Sequence, residues 1–153
     1  MKRTYLITLL LTACSLVSYA QDNLFDKFSD MDGISSVYIS KTLLSMMPDV
    51  EADGIDIGKI ANKLESIQIL SSEKPALIER LRKETAFIYP RNGYEELMRI
   101  KEDGELTTIY LKELKSGQKE FVLRIDEKED EFTIIVITGS LTAEEIRNVI
   151  DKD

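Results

Sequence analysis

The sequence contains no histidine and no tryptophan, and its one cysteine, Cys14, lies near the amino terminus. These absences exclude Ser-His-Asp triads, Cys-His nucleophiles, histidine general bases and Cys/His zinc sites. Any chemistry must therefore rest on carboxylates, Lys, Arg, Tyr or Ser. We assign no catalytic residue and no cofactor, and the composition favours a non-enzymatic protein over an enzyme.

Positive charge is also scarce. Twenty Lys and Arg stand against 28 Asp and Glu, which gives a formal net charge of −8 over 153 residues. Such a protein repels phosphate backbones, and no run of Lys or Arg offsets the repulsion, so we expect no nucleic-acid partner. A chain of this length buries about two thirds of the surface that its unfolded form exposes, which is enough for one core.

The amino terminus has the pattern of an export signal. Basic residues at 2–3 precede a mostly apolar run over 5–17, and the short stretch 18–20 ends in alanine. This order is typical of a secretory signal peptide. The run is shorter than the roughly 20 apolar residues of a transmembrane helix, and no later run is as long. We predict a signal peptide over 1–20, a single domain over 21–153, no transmembrane helix and a periplasmic or secreted location.

Cys14 belongs to a second, overlapping signal. Leu11-Thr12-Ala13-Cys14 resembles a bacterial lipobox, in which the cysteine receives a lipid before cleavage in front of it. The residues after Cys14 stay apolar, whereas a tether to a soluble domain is normally polar, so the pattern favours cleavage after Ala20. The alternative is lipidation at Cys14, which would make the protein an outer-membrane lipoprotein held at the membrane.

Hydrophobic periodicity predicts an α+β fold. Helical and strand-like spacings alternate in the first half, and the last third consists of short strand-like runs joined by turn residues. Short connections between successive strands predict an antiparallel meander. We expect helices packed on one face of a mostly antiparallel sheet that ends in this four-strand meander. The predicted helices cover 24–31, 41–47, 57–65, 75–88 and a stretch after 142, and the predicted strands cover 35–40, 66–71, 94–101, 105–114, 119–126 and 131–138.

Side-chain alternation in the meander predicts which faces are solvated. The last strand, 132–138, is apolar on both faces, so we expect it to be well covered. After this strand, Thr142 and Glu145 have the spacing of a capping box, which predicts the start of a terminal helix. Basic side chains are expected to mark solvent-facing positions on the neighbouring strands, and these are Arg99, Lys101, Lys112 and Arg124.

Residues 49–54 resemble the first half of a calcium loop. Asp49, Glu51 and Asp53 place oxygen ligands at alternate positions before a glycine turn. An EF-hand also needs a bidentate Glu at its twelfth position, and the twelfth residue counted from Asp49 is Ile60. The pattern therefore favours a solvated turn over a metal site, and these three residues are weak metal candidates.

Acidic residues gather in two loops of the predicted meander. Alternate hairpin tips of a meander lie at the same end of the sheet, so the tip at 102–105 should approach the tip at 127–131. This negative end is either an ordinary solubility device or a docking surface for a basic partner. The residues of this possible interaction surface are Glu102, Asp103, Glu105, Glu127, Glu129, Asp130 and Glu131.

Several stretches along the chain together resemble a known family. They are Phe25 with Phe28, V-Y-I-S-K-T-L-L at 37–44, Y-E-E-L-M at 94–98, an Asp-Gly-Glu turn and I-I-V-I-T-G-S-L at 134–141. With them the chain resembles domain of unknown function 4252, a family of small exported proteins of Bacteroidota-type bacteria. The resemblance implies an envelope location and supplies no catalytic residue. Family genes lie in some cases near regulators of the sigma-factor type, which implies a regulatory or sensing role.

Three functional hypotheses follow. The first is a non-enzymatic envelope protein that binds another envelope protein through a sheet face, a sheet edge or the acidic hairpin end. The second is a small carboxylate-dependent hydrolase, for which a pocket converging on two carboxylates would be the sign. The third is a weak divalent-cation-binding module at 49–56.

Overall fold

The computed structural model describes residues 23–46, 51–52, 55–56, 58–128, 130–142 and 144–145. Its helices are α1 (Leu24–Phe28), α2 (Lys41–Ser45), α3 (Gly58–Ala61) and α4 (Pro75–Glu84), and a 3-10 turn lies at Pro90–Asn92. Its strands are β1 (Ser35–Ser40), β2 (Glu51–Ala52), β3 (Ile55–Asp56), β4 (Leu64–Ser72), β5 (Tyr94–Glu102), β6 (Glu105–Glu113), β7 (Lys119–Asp126) and β8 (Phe132–Gly139).

Six of these strands form one antiparallel sheet in the order β1-β4-β8-β7-β6-β5, and β2 and β3 form a separate ribbon. Strands β5 to β8 pair consecutively, so the predicted C-terminal four-strand meander is confirmed. Strand β4 adds to β8, and β1 adds to β4 at the edge. With helices packed beside this sheet, the predicted α+β class is confirmed.

The larger hydrophobic core lies between α1, α4 and one face of the sheet, which we call the helix face. Pro75 begins α4, where its missing N–H is not needed, and Ile78 and Leu81 of that helix are buried in the core. Phe28 at the end of α1 is fully buried in the same core. The sheet contributes Leu70, Tyr94, Tyr110, Val122, Phe132 and Ile134.

A smaller core lies at one end of the opposite face, which we call the open face. The short helices α2 and α3 supply Leu44 and Ile60 to it. Gly139 permits a close approach of two chain segments, because a Cβ there would lie 2.5 Å from the carbonyl oxygen of Lys63. The same carbonyl accepts a hydrogen bond from Ser140 N–H at 2.9 Å. The buried members of this core are Leu44, Leu64, Phe121 and Leu141.

All four helices end before their predicted ends, and the first two, α1 and α2, end at Phe28 and Ser45. The helix expected over 57–65 ends at Ala61, because Leu64 starts β4 and is buried in the smaller core. Tertiary packing and strand pairing here override a helical spacing. Helix α4 ends at Glu84 and does not reach Ile88. The hydroxyl of Thr85 donates to the carbonyl of Leu81 at 2.8 Å, a local bond that accompanies the end of the helix.

The predicted capping box after the last strand is confirmed. Thr142 N–H donates to Glu145 Oε2 at 2.9 Å, and Glu145 N–H donates to Thr142 Oγ1 at 3.2 Å. Lys63 also forms an ion pair with Glu145, which ties this cap to the segment before β4. Reciprocal bonds therefore join Thr142 and Glu145, and the rest of the predicted terminal helix lies outside the described residues.

The basic residues of the meander fall into two pairs. Arg99 and Lys101 are exposed, as predicted. Lys112 and Arg124 are half-buried on the helix face, so the prediction is wrong for them. The Lys112 amine lies 4.7 Å from the ring centroid of Tyr94, and the Arg124 guanidinium lies 5.6 Å from that of Phe132. Their long apolar stems let these cations cover aromatic rings at the margin of the core.

Candidate functional site

An unbroken row of apolar side chains crosses the open face. The register pairs Val37 with Ile69, and the same line continues through the remaining four strands. Paired residues of antiparallel strands share a face, so these six side chains lie side by side. We call this line the central row, and its members are Val37, Ile69, Ile135, Leu123, Ile109 and Met98.

The central row lies outside both cores. In the described part of the chain, none of its six members belongs to the larger or the smaller hydrophobic cluster. Val37 at the sheet edge is 42% exposed, Ile109 is buried, and the other four are half-buried. Strand 132–138 was expected to be well covered, and this holds for Phe132 and Ile134 on the helix face, whereas Val136 on that face and Ile135 and Ile137 on the open face are half-buried.

This row marks the open face as a candidate interaction surface. Soluble proteins rarely leave contiguous apolar patches of more than a few hundred Å² exposed unless the patch binds something. The sequence held a signal for it, because three strands repeat apolar residues at alternate positions. A sheet face was among the predicted binding surfaces, but the sequence did not show which face or which residues, because it does not reveal the side that the helices cover. The repeated pairs are Ile67 and Ile69, Leu123 and Ile125, and Ile135 and Ile137.

The two predicted acidic loops meet at one end of the sheet. Glu102 pairs with Glu105 across the two-residue turn Asp103-Gly104, whose φ angles of 45° and 94° fit the tight hairpin that Asp-Gly predicts. The hairpin tips line one groove of about 500 Å³. The predicted acidic residues that line it are Glu102, Asp103, Glu105, Glu127 and Asp130.

A lysine side chain also lines this groove. Lys128 lines it together with the acidic residues. Glu131 lies just before β8, where its Oε1 accepts a hydrogen bond from the Thr133 hydroxyl at 3.0 Å, and Glu129 falls outside the described residues. The structure thus gathers five of the seven acidic candidates around one groove and places a lysine among them.

Arg82 ties α4 to this end of the sheet. Its Nε and Nη2 donate to the two carboxylate oxygens of Asp126 at 2.9 and 2.5 Å, and Nη2 also donates to the carbonyl of Lys128. The hydrogen bond with Asp126 is the largest cause that raises the pKa of Arg82 above its usual range. No sequence pattern predicted this pair, because 44 residues separate its members.

A second groove, of about 410 Å³, lies on the helix face beside α1 and residues 87–88. The Tyr94 hydroxyl donates to Glu120 Oε1 at 2.8 Å there. Burial, and then the nearby Glu120 carboxylate, raise the pKa of Tyr94 above its usual range, so the phenol stays a neutral hydrogen-bond donor. Glu120 is the one carboxylate among the described residues that line this groove, whereas hydrolysis by paired carboxylates needs two.

The remaining candidates from the sequence lie wholly or partly outside the described residues. Asp49, Asp53 and Cys14 are outside them, and the backbone of Glu51 lies in β2, opposite Asp56. Within the described residues there is no group of three potential metal ligands. The helices of that part of the chain include none long and apolar enough to span a membrane.

Fold and surface together define a class: an α+β protein with one six-stranded antiparallel sheet, whose described helices cover one face and only one end of the other. The chain belongs to the family described as Domain of unknown function (DUF4252), which matches residues 28–149. Comparison with curated proteins and with solved structures found no match.

Proposed function

We propose that this protein is an exported, non-enzymatic binding module of a bacterial cell envelope that holds another envelope protein on the open face of its sheet. The central row is the observation that carries the proposal. Its six apolar side chains cross all six strands and lie outside both cores of the described chain. Burying Val37 and the four half-buried members against a partner would release the water that they now order.

The shape of the row suggests the partner element. Six strands span five inter-strand spacings of about 4.8 Å, so the row is about 24 Å long. An α-helix rises about 1.5 Å per residue, so roughly 16 helical residues would cover that length. The partner should therefore offer an amphipathic helix, whose apolar stripe lies across the strands.

The acidic hairpin end determines how the partner helix is oriented on the sheet. Ile100 is 48% exposed and also lines the acidic hairpin groove, so the apolar face and the acidic end adjoin. A net charge of −8 favours a basic partner at this end, and such charges guide association more than they strengthen it. We propose that basic residues flank the partner helix where it passes the hairpin tips.

The proposal of export depends on the amino-terminal signal. A separate experiment tests whether the mature protein begins at Gln21 or at a lipidated Cys14. Intact mass would be measured on protein from the soluble and membrane fractions of its host. A mass beginning at Gln21 would establish soluble export, with a net charge of −10 after loss of Lys2 and Arg3. A mass beginning at an acylated Cys14 would establish a tethered protein and restrict partners to that membrane surface.

Site-specific photocrosslinking tests the binding face. A photoreactive amino acid would replace Leu123 in the central row, and the matched control would carry it at Phe87, which is 46% exposed and lines the groove on the helix face. We expect position 123 to capture one discrete envelope protein, with the crosslinked peptide in an amphipathic helix. Equal capture from both positions, or none from position 123, would contradict the proposal.

A further inference from the structure

The two edges of the six-stranded sheet are protected differently. Strand β5 carries a register shift between Glu96 and Met98, and it is rich in charged residues. Bulges and charges of this kind keep foreign strands from pairing with an edge. Strand β1 reads Ser-Ser-Val-Tyr-Ile-Ser, with no charge and no proline, and it pairs with β4 without interruption over all six residues.

Strand β1 also leaves bonding groups and apolar surface open. In the described part of the chain it has a neighbouring strand on one side, so the main-chain groups on its other side have no ladder partner there. Val37 and Tyr38 point to opposite faces of the sheet and are 42% and 56% exposed. An added strand would therefore gain main-chain hydrogen bonds and apolar contacts on both faces.

The charges at the two ends of β1 fit an antiparallel copy of the same chain. Asp30 and Asp32 precede the strand and are exposed, and Lys41 follows it with a side chain that is 62% exposed and also forms an ion pair with Glu65 of β4 at 2.9 Å. In antiparallel pairing of two copies, the acidic end of each strand lies near the basic end of the other. The acidic hairpin end belongs to β5–β8, none of which borders β1, so pairing at β1 keeps it away from the contact.

We propose that two copies of this chain pair through β1 about a two-fold axis and form one twelve-stranded sheet. An axis perpendicular to the sheet keeps both open faces on the same side and pairs residues that share a face. With the axis at Tyr38, the two Tyr38 side chains meet on the helix face, and Val37 lies opposite Ile39 of the second copy. The two central rows then lie on one continuous apolar surface. This pairing is independent of the proposed function.

The first test is sedimentation of the processed protein from its host. The wild-type protein is expected to have the mass of two chains. Val37→Lys places a charge in the contact and should weaken dimerisation by about tenfold or more, the factor that corresponds to 1.4 kcal/mol. Ile100→Lys is the matched control, since Ile100 is 48% exposed on the same face at the opposite edge, and it should leave the dimer intact. Circular dichroism would check that both variants fold.

A disulfide test covers the case in which Val37→Lys fails to fold. In a Cys14→Ala background, Tyr38→Cys should form a covalent dimer on oxidation, because Cα atoms facing each other across antiparallel strands are about 4.5–5.5 Å apart, within disulfide range. Leu97→Cys, at a residue 41% exposed in β5, should stay monomeric.

Two outcomes would overturn the proposal. One is a monomeric wild-type protein together with a Tyr38→Cys variant that forms no covalent dimer on oxidation. The other is a Tyr38→Cys variant whose new thiol crosslinks to a different envelope protein, which would assign the edge to a foreign strand.

Discussion

At the scale of single residues, the groups with the largest pKa shifts have structural partners. Tyr94 donates to Glu120, Glu145 pairs with Lys63, and Arg82 binds Asp126. Perturbed groups are often read as catalytic candidates. In each of these pairs, however, the shift has a visible structural cause: burial for Tyr94, and a hydrogen-bonded partner of opposite charge for the other two.

Replacing Glu120 with Gln should lower the pKa of Tyr94. The carboxylate opposes ionisation of the phenol, and the amide would remove that negative charge while burial keeps the pKa above the usual 10.0. Ultraviolet difference titration would follow tyrosinate formation, with Tyr94→Phe identifying the signal. A wild-type Tyr94 that ionises near pH 10.0 would contradict the geometry.

Glu145 should make stability depend on pH in the acid range. The Lys63 amine, and then the Thr142 N–H, lower the pKa of this carboxyl from 4.5 to about 2 in the folded protein. The stabilisation is therefore present above pH 4.5 and is lost as pH falls through about 2. NMR of the Glu145 carboxyl would give its titration midpoint directly. The thermal unfolding temperature of the wild-type protein should fall more over this pH window than that of the Glu145→Gln variant. A Glu145 titration midpoint near pH 4.5 would show that this carboxylate does not bind Lys63 and Thr142 in solution.

At the scale of elements, sequence patterns predicted strands more accurately than helices. The predicted strands 35–40 and 119–126 coincide with β1 and β7, and Asp103-Gly104 forms the expected tight turn. The helix expected over 57–65 covers only Gly58–Ala61, because the apolar spacing that suggested it included Leu64, which packs as part of a strand. Spacing alone does not reveal which of two structures buries an apolar residue.

The attachment of α4 to the sheet should depend on Asp126. Arg82 binds Asp126 on one side and the 73% exposed Glu79 on the other, so each carboxylate serves as control for the other. Asp126→Ala should lower the free energy of unfolding by about 1–3 kcal/mol, since it removes charge-assisted bonds that are mostly shielded from solvent. Glu79→Ala should cost less than about 0.5 kcal/mol, as for other exposed helical pairs. Urea unfolding would compare them, and equal losses would contradict a specific role for Asp126.

At the scale of the whole molecule, the two faces of the sheet are packed differently: α1 and α4 cover the helix face, whereas among the described residues α2 and α3 cover only one end of the open face. Ile134 and Ile135 are neighbours in β8, yet Ile134 is 1% exposed on the helix face and Ile135 is half-buried on the open face. The same residue type in the same strand therefore meets two environments. This asymmetry, and not any single residue, underlies the proposed binding surface.

Replacing Ile134 or Ile135 with alanine should lower the free energy of unfolding by different amounts on the two faces. Ile134→Ala should cost about 2–5 kcal/mol, as buried isoleucines do when a cavity remains. Ile135→Ala should cost roughly half of that or less, because a half-buried side chain has less transfer free energy to lose. Urea unfolding of both variants checks this, and equal losses would mean that the open face is packed as tightly as the helix face.

The sequence by itself determined the strand segments, the Asp-Gly turn, the Thr142–Glu145 cap and the acidic character of one sheet end, because each depends on residues close together in the chain. The tertiary structure alone decided which face the helices cover, the central row from Val37 to Met98 and the bond between Arg82 and Asp126. Alternation assigns the side chains of a strand to two faces, but it does not say which face a distant helix will cover. That choice depends on how the whole chain packs, and in the described part of the chain it leaves the central row without a helix over it.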